Sequence, residues 1–339
     1  MYGLSDRDSN CKETSMKVLI IGGVGMIGRK LSERLARDGE LGGKAISSLT
    51  LHDVVEGAVP AGAKMPVKVV TGDLPAAGEA ARLVADKPDT IFHLAAIVSG
   101  EAEQDFDKGY RINMDGTRNL LEAVRAAGHK PRLVFASSIA VFGAPFPEAI
   151  GDEFFNTPLT SYGTQKNICE LLISDYSRKG FLDGISLRLP TICVRPGKPN
   201  KAASGFFSNI MREPLAGHEA VLPVSESVMH WHASPRAAVE FMRHAAMIDT
   251  AKVGPRRALT MPGLAVTVGE QIAALKKVAG DKVVARIRRE PDPFIEQIVA
   301  GWPRKFAAKR AVELGFKPDQ SFEDIIRIHI EDELGGRVA

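Results

Sequence analysis

The feature that most constrains the fold of this chain is an alternation of short apolar runs with amphipathic helical patterns through its first half. Strand-like runs stand at residues 17–21, 48–53, 67–70, 91–96 and 133–136, and helical patterns at residues 26–38 and 106–127. Strands that are apolar on both faces and alternate with helices form parallel sheets covered on both sides. The sequence therefore predicts an α/β fold with a doubly wound parallel sheet, whose ligands bind at the carboxyl ends of the strands.

The turn after the first run is rich in glycine and lies between a strand and a helix. Gly22, Gly25 and Gly28 would allow a tight turn and a close approach of the backbone to a pyrophosphate. The N–H groups of the following helix, at Met26 and Ile27, would then face the phosphates. Many ordinary turns also use glycine for its backbone freedom. Because this turn joins a strand to an amphipathic helix, we expect it to bind a dinucleotide.

Acidic residues follow the next two strands. Asp53 stands where a carboxylate accepts hydrogen bonds from the ribose hydroxyls of adenosine, and it would repel a 2′-phosphate. NAD is therefore favoured over NADP, the alternative being a solvated aspartate at a strand end. Asp73 and Leu74 are candidates for the adenine edge, although alone they are equally typical of a loop.

A tyrosine and a lysine with helical spacing are the candidates for proton transfer. Tyr162 and Lys166 lie four residues apart, which places both side chains on one face of a helix. A free tyrosine titrates at about 10, and a neighbouring ammonium is expected to lower that pKa. The pattern also arises by chance, but Ser138 adds a hydroxyl at the end of the fifth strand. We expect Ser138, Tyr162 and Lys166 to form a catalytic set.

The composition excludes several other classes of protein. With 44 basic and 41 acidic residues the formal net charge is +3, which gives no electrostatic footprint for nucleic acid. No apolar run approaches the about 20 residues of a membrane span. The polar residues 1–15 are typical of a disordered or non-native extension rather than a signal peptide. The few scattered cysteines, and the lack of metal-ligand spacing, predict a metal-free protein of the reducing cytoplasm.

Taken in order, the stretches GGVGMIG, GDL, HLAA, SSIAVFG and YGTQK resemble the extended short-chain dehydrogenase/reductase superfamily, which contains the NAD-dependent epimerases and dehydratases. The resemblance extends from Met16 to the C terminus. It implies a Rossmann domain that binds NAD, a homodimer, and a catalytic set whose serine is Ser138 rather than Ser137. It also implies cofactor contacts or active-site positioning by Ala95, Ala96, Asn113, Pro190 and Ile192.

The amino-acid composition of the chain changes after Ile192, where a segment rich in proline, glycine, lysine and asparagine begins. We expect residues 16–192 and about 236–263 to form the NAD-binding domain. A smaller substrate-binding lobe would then comprise residues 193–235 and about 264–339, and it would close with a helix over residues 322–334.

The segment RLPTICVRPGKPNKAAS lacks the asparagine and tyrosine that nucleotide-sugar enzymes of the superfamily usually carry there. Together with WHASPRAA and HLAAIVSGEAEQDFDKGYRINMDGT, it resembles the D-erythronate dehydrogenase branch. That resemblance implies oxidation of the C2 hydroxyl of a small sugar acid by NAD. We expect at least one basic side chain to bind the carboxylate. The candidate substrate contacts are Ser99, Ser138, Tyr162, Arg195, Lys201 and Arg236.

Three further points stay open at the level of sequence. His93 is expected to be structural, and His232 is a weaker candidate for ligand contact. A nucleotide-sugar epimerase or dehydratase with tightly bound NAD would return its hydride and release no NADH. A regulator that senses NAD without catalysis is a third function, but a sensor has no need of the Tyr162 and Lys166 pair.

Overall fold

The computed structural model describes residues 15–197 and 204–339, so of the expected N-terminal extension it describes Ser15 alone. Strands β1 to β15 in this part of the chain are Met16–Ile21, Glu40–Leu41, Lys44–Asp53, Val67–Thr71, Thr90–His93, Arg132–Ser138, Ile150–Gly151, Asp183–Leu189, Thr191–Ile192, Ala220–Leu222, Met229–Ala233, Ala258–Thr260, Leu264–Thr267, Ile287–Arg289 and Phe306–Ala307. Helices α1 to α14 are Met26–Asp38, Glu79–Val84, Ser99–Gln104, Phe106–Gly109, Gly116–Ala127, Ser161–Arg178, Gly205–Leu215, Pro235–Met247, Thr250–Val253, Val268–Ala279, Asp281–Val284, Pro293–Ala300, Lys309–Glu313 and Phe322–Glu333. None of the described helices is long and apolar enough to span a membrane.

The central sheet confirms the doubly wound prediction. Its parallel strands follow the order β4-β3-β1-β5-β6-β8-β12, and the short β2 pairs antiparallel with the beginning of β3. The chain therefore moves outward from β1 first in one direction and then in the other. The change of direction falls between β1 and β5, where the crevice at the carboxyl ends of the strands is the usual ligand site of such sheets.

Hydrophobic side chains cover both faces of this sheet. In β1, Val18 and Ile20 pack with residues of α1 and α8 in one cluster, whereas Leu19 and Ile21 pack with residues of α5 and α6 in another. All four side chains are almost fully buried. Burial on both faces explains why the residues of β1 are continuously apolar rather than alternately apolar and polar.

A third cluster lies outside the sheet and is built mainly from α7, α10 and α14. Phe207, Leu275 and Ile325 are fully buried in it. This cluster is separate from the two that cover the sheet. The division into an NAD-binding domain and a substrate-binding lobe, with changes near residues 193, 236 and 264, stays a prediction.

Two predicted elements differ from the structure. The helix expected over 106–127 is broken into α4 and α5 by a π-helical turn at Tyr110–Asp115. The turn contains Asn113, whose buried amide bonds to the Ile97 backbone and to Gln165. The strand expected to reach residue 96 ends at His93, because the next two N–H groups both donate to the carbonyl of Ile21 and turn the chain out of the sheet.

Candidate active site

The glycine turn forms a cradle in which Gly22 and Gly28 have no room for a side chain. Gly22 has a φ of +85°, and a Cβ there would lie 2.6 Å from the backbone nitrogen of Ala95. At Gly28 a Cβ would lie 2.0 Å from the carbonyl oxygen of Gly22. The carboxyl end of β1, the chain after β5 and the beginning of α1 therefore approach one another at backbone distance. This close packing is what the dinucleotide motif requires.

The first turn of α1 has free N–H groups. Gly25 is the N-cap of α1, and its position carries no side-chain cap. The first backbone bond of the helix closes from Arg29 N–H to Gly25 carbonyl, which leaves the N–H groups of Met26, Ile27 and Gly28 without partners inside the helix. An uncapped helix N-terminus beside a glycine cradle suits the two phosphates of NAD.

Asp53 lies at the end of β3 and reaches back to the glycine turn. Its Oδ2 accepts a hydrogen bond from the Val24 N–H at 3.0 Å, and its Oδ1 accepts one from the Val54 N–H at 2.8 Å. These two bonds fix the carboxylate beside the cradle. Because the carboxylate is fixed there, it stands where a ribose hydroxyl would find an acceptor and a 2′-phosphate would meet a like charge.

The other predicted cofactor residues lie around the same crevice. Asp73 is ion-paired with Arg111 at 2.6 Å, and Leu74 is buried. The partly exposed Ala95 and Ala96 follow β5 directly. Pro190 and Ile192 are buried between β8 and the beginning of the substrate lobe.

The expected catalytic residues meet where β6 ends beside α6. Ser138 is the last residue of β6, and Tyr162 and Lys166 occupy the first two turns of α6. The hydroxyl of Ser138 acts on Tyr162 in the direction that lowers the pKa of the phenol. The Lys166 ammonium is 2% exposed and donates to the carbonyl of Ala136 at 2.8 Å. The neighbouring Ser137 points instead to Glu170.

Burial dominates the electrostatics of this pair. It raises the pKa of Tyr162, and the opposing influences are the charge of Arg195 and the hydroxyl of Ser138. The Lys166 ammonium lies 5.7 Å from the centroid of the phenol ring while it bonds the Ala136 carbonyl, so its effect on the Tyr162 pKa stays a prediction. Burial also lowers the pKa of Lys166 itself to about 8.

The cation that acts on Tyr162 is Arg195, one of the predicted substrate contacts. Its backbone is held from α7, because its N–H donates to Ser208 Oγ at 3.0 Å and its carbonyl accepts from Arg212 Nη1 at 2.9 Å. Its side chain bonds the Ile192 carbonyl and Ser204 Oγ. The charge of this guanidinium acts on Tyr162, the predicted proton acceptor, in the direction that lowers its pKa.

The remaining substrate candidates are placed differently. Arg236 is ion-paired with Glu331 and Asp332 on α14, away from Tyr162, and its charge is therefore balanced there. Ser99 is the partly exposed first residue of α3, and Lys201 lies outside the described residues.

The two histidines singled out from the sequence are both buried. His93 bonds Thr117 Oγ1 at 2.8 Å, and burial lowers its pKa to about 3, which agrees with a structural role. His232 is fully buried against Gln271, with a pKa well below its usual value. In residues 15–197 and 204–339 no three His, Cys, Asp or Glu side chains converge as metal ligands would.

Sequence reasoning missed the polar side chains that stand behind the catalytic set. Gln165 is fully buried and accepts from Asn113 at 2.7 Å, and Glu170 is paired with Arg188. A signal existed for Glu170, because it follows Lys166 by four residues on the same helix face. No comparable helical spacing marks Arg188, which lies on β8.

Comparison with known proteins agrees with this geometry. Residues 18–235 match the NAD dependent epimerase/dehydratase family. The chain belongs to that family. Its cofactor is therefore NAD, which the glycine cradle and Asp53 fit, and it is an NAD-dependent oxidoreductase, as the sequence predicted.

Individual relatives are similar over almost the whole chain. D-erythronate dehydrogenase from Cupriavidus necator is 47% identical over 94% of this chain and 98% of that protein. The D-erythronate dehydrogenase from Haemophilus influenzae is 44% identical over 94% of this chain and 100% of that protein. A solved structure described as a nucleoside-diphosphate-sugar epimerase from Agrobacterium tumefaciens is 66% identical, with a TM-score of 0.93 and 96% of each chain covered.

Proposed function

We propose that this enzyme oxidises the C2 hydroxyl of D-erythronate to a 2-oxo acid, with NAD as the oxidant. The observation that carries the proposal is the guanidinium of Arg195, whose charge acts on Tyr162, because it offers the substrate carboxylate an anchor in the electrostatic range of the proton acceptor. The similarity to full-length D-erythronate dehydrogenases supports the same substrate.

The roles of the catalytic residues follow from their positions. Tyr162 takes the proton of the C2 hydroxyl, and Ser138 orients that hydroxyl through its own side chain. Lys166 would hold the nicotinamide ribose and would supply positive charge there. When NAD is bound, it supplies the acceptor for the hydride that leaves C2. The products are the 2-oxo acid, NADH and one proton.

Arg195 is the residue we assign to the substrate carboxylate. Ser208 and Arg212 lie one helical turn apart on α7. Ser208 accepts from the N–H of Arg195 and Arg212 donates to its carbonyl, so the Arg195 backbone is held on both sides of its Cα. Both clamping side chains are almost fully buried. A guanidinium on such a fixed backbone presents its donors to a planar carboxylate with little loss of conformational freedom on binding.

The other predicted contacts complete the proposed site. Gly22, Gly25, Met26, Ile27 and Gly28 would bind the pyrophosphate, and Asp53 the adenosine ribose. Ser99 and Lys201 are kept as candidates for the substrate hydroxyls, and Arg236 is not, because its charge is balanced on α14. The further cofactor contacts we propose are Asp73, Leu74, Ala95, Ala96, Asn113, Pro190 and Ile192.

The test is a panel of sugar acids assayed with NAD and with NADP. We expect NADH to form with D-erythronate, and Tyr162→Phe to abolish its formation while NAD still binds. Turnover of other sugar acids but not of D-erythronate would overturn the proposed substrate and leave the proposed reaction type in place. If the wild type binds NAD but oxidises no acid of the panel, and Tyr162→Phe behaves in the same way, the NAD-sensing regulator is favoured.

The Agrobacterium tumefaciens structure favours a second candidate function, a nucleotide-sugar epimerase. Such an enzyme returns the hydride to its substrate, so it interconverts two UDP-sugars without accumulating NADH. Incubation with UDP-glucose or UDP-galactose, followed by separation of the sugars, distinguishes the two functions.

We also propose that the enzyme is a cytoplasmic homodimer associated through α5 and α6. Leu171 in the middle of α6 is 64% exposed, and Tyr176 on α6 bonds Glu122 on α5, which joins the two helices into one surface. The free, buried thiols of Cys169 and Cys193 suit a reducing compartment. Sedimentation of Leu171→Glu as a monomer and of the wild type as a dimer would support the interface.

A further inference from the structure

The end of β6 and one face of α6 are joined by three consecutive contacts. The Ser138 hydroxyl acts on the phenol of Tyr162, the Ala136 carbonyl accepts from Lys166 at 2.8 Å, and Ser137 Oγ donates to Glu170 Oε1 at 2.5 Å. The three helix residues follow one another at intervals of four and so lie on one face. Three successive strand residues thus interact with three successive turns of the helix, two of them through hydrogen bonds. We call these contacts the β6–α6 ladder.

The third contact of the β6–α6 ladder is fixed from its far side. Glu170 is 2% exposed and receives the guanidinium of Arg188, with Nη2 to Oε2 at 2.8 Å and Nε to Oε1 at 3.0 Å. Arg188 lies on β8 directly opposite Ser137 in the sheet register. Asn156 donates to the same carboxylate at 3.3 Å. The Glu170 carboxylate therefore ties β6, β8 and α6 together behind the catalytic residues.

A buried ion pair of this kind contributes little net stability, because desolvation of both charges offsets their attraction. Its geometric effect is larger. With Ser137 held on Glu170, the peptide that carries Ser138 has one position relative to the first turns of α6. Without that bond, the side chains of α6 are hydrogen-bonded to the end of β6 only through Lys166 and the Ala136 carbonyl, although the strand still pairs with β8.

We propose that Glu170 is a positioning residue for the hydride-transfer reaction, and that it acts through Ser137 to set the placement of Ser138 against Tyr162. Arg188 is part of the same device, since it orients the carboxylate. None of the three residues touches substrate or cofactor in this assignment. The reaction itself is unchanged, and the effect falls on the alignment of the reacting groups.

The decisive variant is Ser137→Ala, which removes the contact but leaves the Glu170–Arg188 pair intact. Loss of alignment by a fraction of an ångström to 1 Å lowers kcat by about 10- to 100-fold. We expect that loss with the KM for D-erythronate and the Kd for NAD within about threefold of the wild type. We also expect a larger primary isotope effect on kcat with substrate deuterated at C2, because the chemical step becomes slower.

Ser186→Ala is the matched control. Ser186 is fully buried on the neighbouring β8, opposite Phe135, and its Oγ has no hydrogen-bond partner within the described part of the chain. It removes the same atom from the same sheet and is expected to leave kcat unchanged. If Ser137→Ala keeps kcat within twofold of the wild type, or if both variants lower kcat equally, the positioning role is overturned.

Glu170→Gln tests the carboxylate directly, and it should reproduce the loss of kcat. If this variant fails to fold because Arg188 is left buried without its partner, Ser137→Ala still decides the matter. The assay with D-erythronate rests on the proposed function. Should the wild type form no NADH with that acid, the substrate assignment fails first, and the same variants are then compared on the acid of the panel that the wild type does oxidise.

Discussion

Lys166→Met should make the protein without NAD more stable while it destroys activity. The pKa of this lysine is about 8 in the fold against 10.5 for the free group, because burial disfavours the ammonium. At about 1.4 kcal/mol per pH unit, holding the charged group in the fold costs about 3 kcal/mol. Methionine removes that penalty and keeps the apolar stem, but it leaves the carbonyl of Ala136 without this donor, which costs about 1 kcal/mol. The net gain is about 2 kcal/mol.

The gain converts into a melting temperature. Unfolding entropies of about 2.1 cal/mol/K per residue give about 0.7 kcal/mol/K for a chain of 339 residues, so the midpoint should rise by about 3 °C at pH 7. The direction in which the stability difference changes with pH also follows from the two pKa values. Between pH 8 and pH 10.5 the unfolded chain binds more protons at this lysine than the folded one, so the wild type gains stability as the pH rises and the advantage of the variant disappears.

Calorimetry of the NAD-free protein at pH 7 and at pH 10 measures both effects. The matched control is Lys179→Met at the exposed C-terminal end of the same helix, which should leave the midpoint unchanged at both values. In the activity assay Lys166→Met should lose at least about 100-fold in kcat. A lower midpoint than the wild type at pH 7, or a difference that is the same at both pH values, would refute the reasoning.

The remaining predictions concern the cofactor and the substrate. Gly28→Ala should abolish NAD binding measured by calorimetry, because its Cβ would lie 2.0 Å from a carbonyl oxygen, whereas Gly151→Ala, with open space around it, should bind as the wild type does. Asp53→Asn removes the charge that repels a 2′-phosphate, so the ratio of kcat/KM for NADP over NAD should rise by about tenfold or more; an unchanged ratio contradicts the role of Asp53. Arg195→Met should raise the KM for D-erythronate by about 30-fold or more with little change in the KM for NAD, as expected for loss of a partly buried ion pair worth about 2 kcal/mol. Arg236→Met, whose charge is balanced on α14, is its control, and equal effects of the two variants would remove Arg195 from the carboxylate site.

The fold was predictable because short stretches of sequence determine its strands and helices. The continuous apolar run of β1 indicates a strand that is buried on both faces, and the helical spacing after Met26 predicts both ends of α1 correctly. Asp53 and Ser138 could be proposed as site residues because strand ends can be recognised in the sequence and parallel strands bring their carboxyl ends to one edge. The interruption of the helix at Asn113 was not readable, since it arises from side-chain bonds to a distant loop and to Gln165.

The electrostatics of the site could not be read from spacing alone. The distance of four residues places Tyr162 and Lys166 on one face, but it does not say that the ammonium is occupied by the Ala136 carbonyl. The position of Arg195 relative to Tyr162 depends on α7, which holds the Arg195 backbone and is distant from Tyr162 in the sequence. Likewise Arg188 joins the β6–α6 ladder only because β8 pairs with β6 in one register. These contacts depend on the tertiary structure, which the spacing of residues along the sequence does not report.

The central claim is that the hydride leaves C2 of a small sugar acid and remains on NAD. The most direct test is to incubate the enzyme with NAD and D-erythronate deuterated at C2, and to examine the nicotinamide by NMR. We predict one deuterium at C4 of the NADH ring and an equal amount of 2-oxo acid. Absence of deuterium from the nicotinamide, with interconversion of UDP-glucose and UDP-galactose by the same preparation, would contradict the account.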